Sequence, residues 1–209
     1  QPREVRETVV NAYICPSRAH ETMTVKCVPD GGHGGHSGEG DENGNEFWGA
    51  IADYAATTGL KSRVGTDGVD HEGAMIYGKV PNHALVLTTW SSNTKFESVA
   101  DGLSNTFLAG EWTRRQSHAA PAYNGDHCAG TYAGPPPDPT GNLYDNSYPT
   151  RPIARSPEGT GFGSDHPGVC QFVFGDGSVH AMSVETPTEI LGSLITRDRG
   201  EVIPGDYVQ

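Results

Sequence analysis

Alternating apolar and polar positions are clearest near the end of the chain, in HPGVCQFVFGDGSVHAM, residues 166 to 182. Asp176-Gly177 is the pair that best supplies the positive φ angles of a two-residue type I′ hairpin. That turn predicts Phe174 opposite Val179, Phe172 opposite Ala181 and Cys170 opposite Ser183. Cys170, Phe172, Phe174, Val179 and Ala181 then share one face, with Gln171, Val173, His180 and Met182 on the other. Upstream, the β-branched run Val5–Ile14 reads as a strand ending at Cys15-Pro16, and ALVLTTW, residues 84 to 90, as an apolar strand. DGLSNTFLAGE, residues 101 to 111, reads as a turn followed by a strand. Residues 50–57 and 74–79 carry only a weak strand or turn pattern. TPTEILGSLIT predicts a helix with Thr186 as N-cap, Pro187 in the first helical position and Glu189 completing a capping box. Its Ile190, Leu191, Leu194 and Ile195 fall on one face.

These elements imply an α+β fold with an antiparallel sheet, one or two short helices and extensive loops. Its 209 residues suit a single domain spanning 1–209. Hydrophobic residues make up only 34%, beside 28 Gly and 15 Pro, so long loops are expected to decorate a modest core. PDGGHGGHSGEGDENGNE, residues 29–46, and the proline-rich stretch 116–164 are the two such excursions.

A formal charge of −12 opposes nucleic-acid binding, which needs clustered Lys and Arg. No run approaches the roughly 18 apolar residues of a membrane span, and neither a signal peptide nor an initiator Met precedes Gln1, so the chain is expected to be processed or truncated. Cys15, Cys27, Cys128 and Cys170 show no CxxC spacing, which disfavours haem attachment and a structural zinc site. Their even number suits two disulfides in an oxidising compartment. Three connectivities are open; Cys15 with Cys27, which flank the short stretch SRAHETMTVK, and Cys128 with Cys170 are the expected pairs.

No catalytic residue stands out. GxSxG is absent, and no Gly-rich segment matches GxxxxGK[ST]. Along an extended strand, His166 lies more than roughly 20 Å from Asp176, which excludes a dyad within the hairpin. His166 is expected instead to brace the start of the strand through a bond to backbone, and Glu111 to anchor backbone or an arginine such as Arg114. Asp41, Asn43 and Asn45 open like a Ca²⁺ loop, but Glu46 and Ala52 stand where its Gly and bidentate Glu belong. His33 and His36, set among glycines, are poorly preorganised for a transition metal, and Asp67, Asp70 and Glu72 are no more specific. No cofactor is expected, and any cation affinity, Ca²⁺ first, should be weak and reside in oxygen ligands.

His166, nine intervening residues and Asp176-Gly177 resemble the H-X9-DG box of a large bacterial prepilin-type family. YICPSR (13–18) is similar to its CPSD-like segment, DYAATTG (53–59) to its DYAGNxG-like segment, and Asp101-Gly102, Ser104-Asn105 and Glu111 to its DGxSNTxxxGE box. Arg18 departs from the pattern, standing where the family has Asp. The resemblance implies a pilin-like head that normally follows a cleaved leader and a long hydrophobic helix, through which alone the protein would meet a membrane; that helix is expected to be missing from this chain. It further implies an exported, non-enzymatic subunit, pilin- or pseudopilin-like, in the cell envelope or outside the cell. Its partners would be other pilin-like subunits or further copies of itself. An extracellular solute- or Ca²⁺-binding protein is the alternative, and a hydrolase the third reading.

Overall fold

The computed structural model describes residues 3–27, 47–57, 73–74, 94–112, 153–154 and 162–207. Six strands lie among them: β1 (Thr24–Cys27), β2 (Phe47–Ala50), β3 (Tyr54–Ala56), β4 (Phe107–Glu111), β5 (Val169–Phe174) and β6 (Val179–Ser183). β1 and β2 form an antiparallel ribbon, while the other four make an antiparallel sheet in the order β3-β4-β5-β6. Helix α2 (Thr188–Ile195) adds Leu191, Leu194 and Ile195 to the apolar cluster formed by the inner side chains of the sheet. The architecture is α+β, as the pattern implies.

The Val5–Ile14 strand does not form. A short helix, α1 (Arg3–Arg6), and a 3₁₀ turn (Asn11–Tyr13) occupy that stretch. Glu7 N–H bonds to the Arg3 carbonyl at 3.0 Å, and Val5 stays 48% exposed. β-branched side chains favour a strand only when a neighbouring ladder and a buried face receive them; here local helical bonds satisfy the backbone instead. The ALVLTTW strand and the 29–46 loop fall outside the described residues, as does the 116–164 region apart from 153–154 and 162–164.

The hairpin forms with its register shifted by one residue. Cys170 faces Met182, Phe172 faces His180 and Val173 faces Val179. Phe174 N–H bonds to the Ser178 carbonyl, and Gly177 N–H returns to the Phe174 carbonyl at 3.0 Å, so three residues, Gly175 to Gly177, make the connection. This is a turn closed by a glycine in the left-handed region, Gly177 at φ 86°. The inner face of β5 is the expected one, with Cys170, Phe172 and Phe174 buried. On β6, however, the shift exchanges faces: Met182 is buried, while Val179 is 63% exposed. Phe174 meets the His180 ring edge-on at 4.9 Å. Asp176 caps the turn, its carboxylate accepting from Ser178 N–H at 2.9 Å and from the Ser178 hydroxyl at 2.7 Å. Gly177→Val should cost about 1–2 kcal/mol, since a β-branched residue resists positive φ. Asp176→Asn keeps an acceptor for Ser178 and should fold normally. Chemical denaturation of the two variants checks both outcomes.

At the other end of α2 the capping box is not made. The helix starts at Thr188 and Pro187 serves as N-cap, while the Thr186 hydroxyl donates to the Ser183 carbonyl at 2.7 Å. Thr186 thus closes the turn leaving β6.

Two bonded turns bring the sequence boxes together. Residues Leu103–Asn105 form a 3₁₀ turn after Gly102. The hairpin tip docks there, Gly175 N–H on the Thr106 carbonyl and Asp176 N–H on that of Leu103. Asp101 accepts from Arg199 and Gly200 N–H at 3.0 and 2.7 Å, tying the chain after α2 to the same turn, and the Asn105 amide donates to the Asp101 carbonyl. In β4 the register with β5 slips between Phe107 and Ala109. On the other edge of β4, the Leu108 carbonyl continues the β3–β4 pairing by accepting the N–H of buried Thr57 at 2.8 Å. Past Leu108, the strand carries Glu111 to the end of the sheet where β5 begins.

Candidate functional site

Three segments distant in sequence meet at that end. The Glu111 side chain, 1% exposed, accepts the backbone N–H of Gln171 on Oε2 at 2.7 Å. Its Oε1 lies 3.2 Å from Cys15 Sγ and 3.1 Å from His166 Nε2. Cys15 Sγ and His166 Nε2 are themselves 3.6 Å apart. Each group is held from behind. Cys15 N–H donates to Asp53 Oδ2 at 2.8 Å, and His166 N–H to the Ser164 hydroxyl, which in turn donates to the Val169 carbonyl. Glu111 is positioned by the β4–β5 ladder and by Gly163 N–H on its carbonyl.

A second buried set adjoins the first. Asp53, fully buried, accepts from Cys15 N–H, from Arg18 Nη1 at 3.2 Å and faces His20 Nε2 at 2.8 Å. Arg18 extends to the Trp112 carbonyl at 2.8 Å, to that of Gly163 at 3.4 Å and to Asp165 at 3.6 Å. The arginine that departs from the expected Asp is therefore the cation of a buried network.

The four boxes thus contribute side chains to one place: Cys15 and Arg18, then Asp53, Glu111 and His166. Sequence reasoning treats Glu111 and His166 as separate backbone braces. Glu111 does hold backbone, at Gln171, whereas His166 points its ring at Glu111 and Cys15 and not at a carbonyl. Arg114 lies outside the described residues, as do Asp41, Asn43, Asn45, His33, His36, Asp67, Asp70 and Glu72. Asp176, at the far end of the hairpin, has its own partners and no part in the cluster. Asp53 and His20 are not singled out by the sequence, and Arg18 stands out only as a departure from the family's pattern; the signal available for Asp53 was its place at the head of the DYAATTG segment.

The cysteine pairing is overturned. Cys15 and Cys170 are free, buried thiols, so neither Cys15–Cys27 nor Cys128–Cys170 is formed. Cys15 Sγ is turned inward to Glu111 and His166. Cys170 lies on the inner face of β5 with Sγ 3.4 Å from the Glu111 carbonyl. Cys128 lies outside the described residues.

Cysteine, histidine and carboxylate together suggest an activated nucleophile, but the geometry is different. In a relay, the acid holds one imidazole nitrogen and the nucleophile meets the other. Here Cys15 and Glu111 face the same Nε2. Burial, reinforced by Glu111, pushes the Cys15 thiol up, favouring S–H over thiolate. Burial also pushes the Cys170 thiol up strongly and the Tyr54 phenol up to about 12, with Cys15 and Glu111 acting in the same direction. The cluster is a neutral-thiol network in which Glu111 accepts from its neighbours. It also presents one sulfur, one nitrogen and one carboxylate oxygen within 4.8 Å of one another, a set able to hold a metal ion.

Alkylation in denaturant without reductant should label both Cys15 and Cys170; either one found in a disulfide would overturn the free-thiol assignment. Raised thiol pKa values also set the pH trend. Folding contributes through the neutral thiols below the unfolded value of about 8.5, and that contribution falls as pH rises, because the unfolded thiols ionise first. Stability should decline above that pH, less steeply in Cys170→Ala.

Residues 1–189 match the family model SBP_bac_10, described as a protein of unknown function (DUF1559). The chain belongs to this family. DUF1559 is the prepilin-type H-X9-DG group, and the match runs from the N-terminal segment through both sheets into the first residues of α2. No curated protein and no solved structure matches the chain. In this DUF1559 protein the boxes act together as a clasp, in which Cys15, Asp53, Glu111 and His166 fasten the N-terminal segment, β3, β4 and the start of β5 to one another.

Proposed function

We propose that this chain is the head of an exported, non-enzymatic pilin- or pseudopilin-like subunit that assembles with other pilin-like subunits or with itself, outside the cell or in its envelope. The observation carrying this reading is membership of the prepilin-type family across residues 1–189. Supporting it, the box residues are consumed in holding the head together: Asp53 and Glu111 are buried and hydrogen-bonded, and the Cys15 thiol is kept protonated.

Antibodies to the head, applied to intact producing cells, should label the surface or filaments extending from it. The encoded region before Gln1 should specify a prepilin leader and about 20 apolar residues. Labelling only after lysis would overturn the reading, and an ordinary signal peptide in place of the leader would move it to a secreted binding protein.

A further inference from the structure

We propose that Cys15, Glu111 and His166 form a binding site for a borderline divalent transition metal, of which Zn²⁺ is the type. A tetrahedral Zn²⁺ with bonds of about 2.0–2.3 Å to oxygen, nitrogen and sulfur spaces its ligand atoms roughly 3.3–3.6 Å apart. The three pairs here are 3.2 Å (Sγ to Oε1), 3.6 Å (Sγ to Nε2) and 3.1 Å (Nε2 to Oε1). Movements of a few tenths of an ångström make room for the ion. Sulfur and imidazole select this class over Ca²⁺ or Mg²⁺, which take oxygen ligands.

The surroundings suit a metal centre. The second oxygen of Glu111 is anchored by Gln171 N–H, and Cys15 and His166 are pinned through their backbones by Asp53 and Ser164. Such outer partners hold ligands in place before the ion arrives. Cys15 and Glu111 are sealed, but the His166 side chain is 26% exposed, so the cluster opens to solvent on that side. An ion reaches the site past His166, and water completes its coordination there. Binding breaks the Cys15 S–H bond and releases that proton to solvent. His166 coordinates through Nε2 with its own proton on Nδ1, and the thiolate and carboxylate balance the 2+ charge. The site is independent of any assembly role. Sequence spacing does not reveal it because its ligands come from positions 15, 111 and 166, none forming a short motif with another.

The test uses the full chain, stripped with chelator and titrated with Co²⁺. The wild type should develop the near-ultraviolet thiolate-to-cobalt charge-transfer band and the intense visible bands of four-coordinate cobalt, both removed by Zn²⁺, and Zn²⁺ should raise its Tm. Cys15→Ser should lose the charge-transfer band, and His166→Gln should weaken binding at least about tenfold. A variant lacking His33 and His36 should bind as the wild type does. Absence of the thiolate band in the wild type overturns the proposal whether or not the variants fold. So does binding that survives in both Cys15→Ser and His166→Gln, or that is lost with His33 and His36.

Discussion

Replacing Phe172 with alanine is expected to destabilise the fold by about 3–5 kcal/mol, through lost burial and the cavity left behind. Phe172 is 1% exposed and stacks on Phe107 with ring centroids 4.1 Å apart. Phe162 meets it edge-on at 4.9 Å, and Phe174 closes on Phe107 at 5.0 Å. Its cross-strand partner is Gly110, where a Cβ would lie 2.5 Å from two carbons of the ring. The missing side chain on β4 is what lets the ring lie flat over that strand, so little nearby can shift to fill the space. Val179→Thr supplies the contrast: in the observed register Val179 faces solvent, and the change should stay within about 0.5 kcal/mol. Urea denaturation of both variants reads the difference. A costly Val179→Thr would restore the two-residue turn and reject the shifted register, whereas a mild Phe172→Ala would reject the buried place of Phe172, which both registers share.

Arg18→Met should cost a similar amount, about 3–5 kcal/mol, because it removes the cation from a carboxylate that is out of contact with water. Asp53 is 0% exposed and Arg18 9%. The same guanidinium also satisfies the carbonyls of Trp112 and Gly163, which gain no substitute from a methionine. Asp53→Asn should be milder in charge terms yet still harmful, since Asp53 also accepts from Cys15 N–H and faces His20. In the double variant the two costs should not add: once Asp53 is neutral, the arginine has less to balance. Fully additive losses by denaturant titration would mean that the pair contributes nothing beyond its separate contacts.

Both expectations rest on features the sequence displays unequally. Strict alternation in VCQFVF places Cys170, Phe172 and Phe174 on one buried face without any knowledge of the fold, because successive side chains of a strand point to opposite sides. The turn and strand of DGLSNTFLAGE, and a helix presenting Leu191, Leu194 and Ile195 to the core, follow from equally local rules. Local rules mislead where two backbone solutions differ little in their own energy. Asp-Gly suits a two-residue turn, but the tip also bonds to Leu103 and Thr106, and the three-residue connection satisfies both. Val5–Ile14 has strand-forming side chains but joins no ladder among the described residues.

What the sequence by itself determined is the fold class, the buried face of β5, the strand ending at Glu111 and the presence of four boxes in order. Tertiary structure alone decided the hairpin register, the free state of Cys15 and Cys170, and the meeting of Cys15 with Glu111 and His166, partners 96 and 151 residues away. The reason is one of range. Propensity, alternation and capping act over a few residues, whereas a buried carboxylate is satisfied by whatever donors the packed chain brings to it.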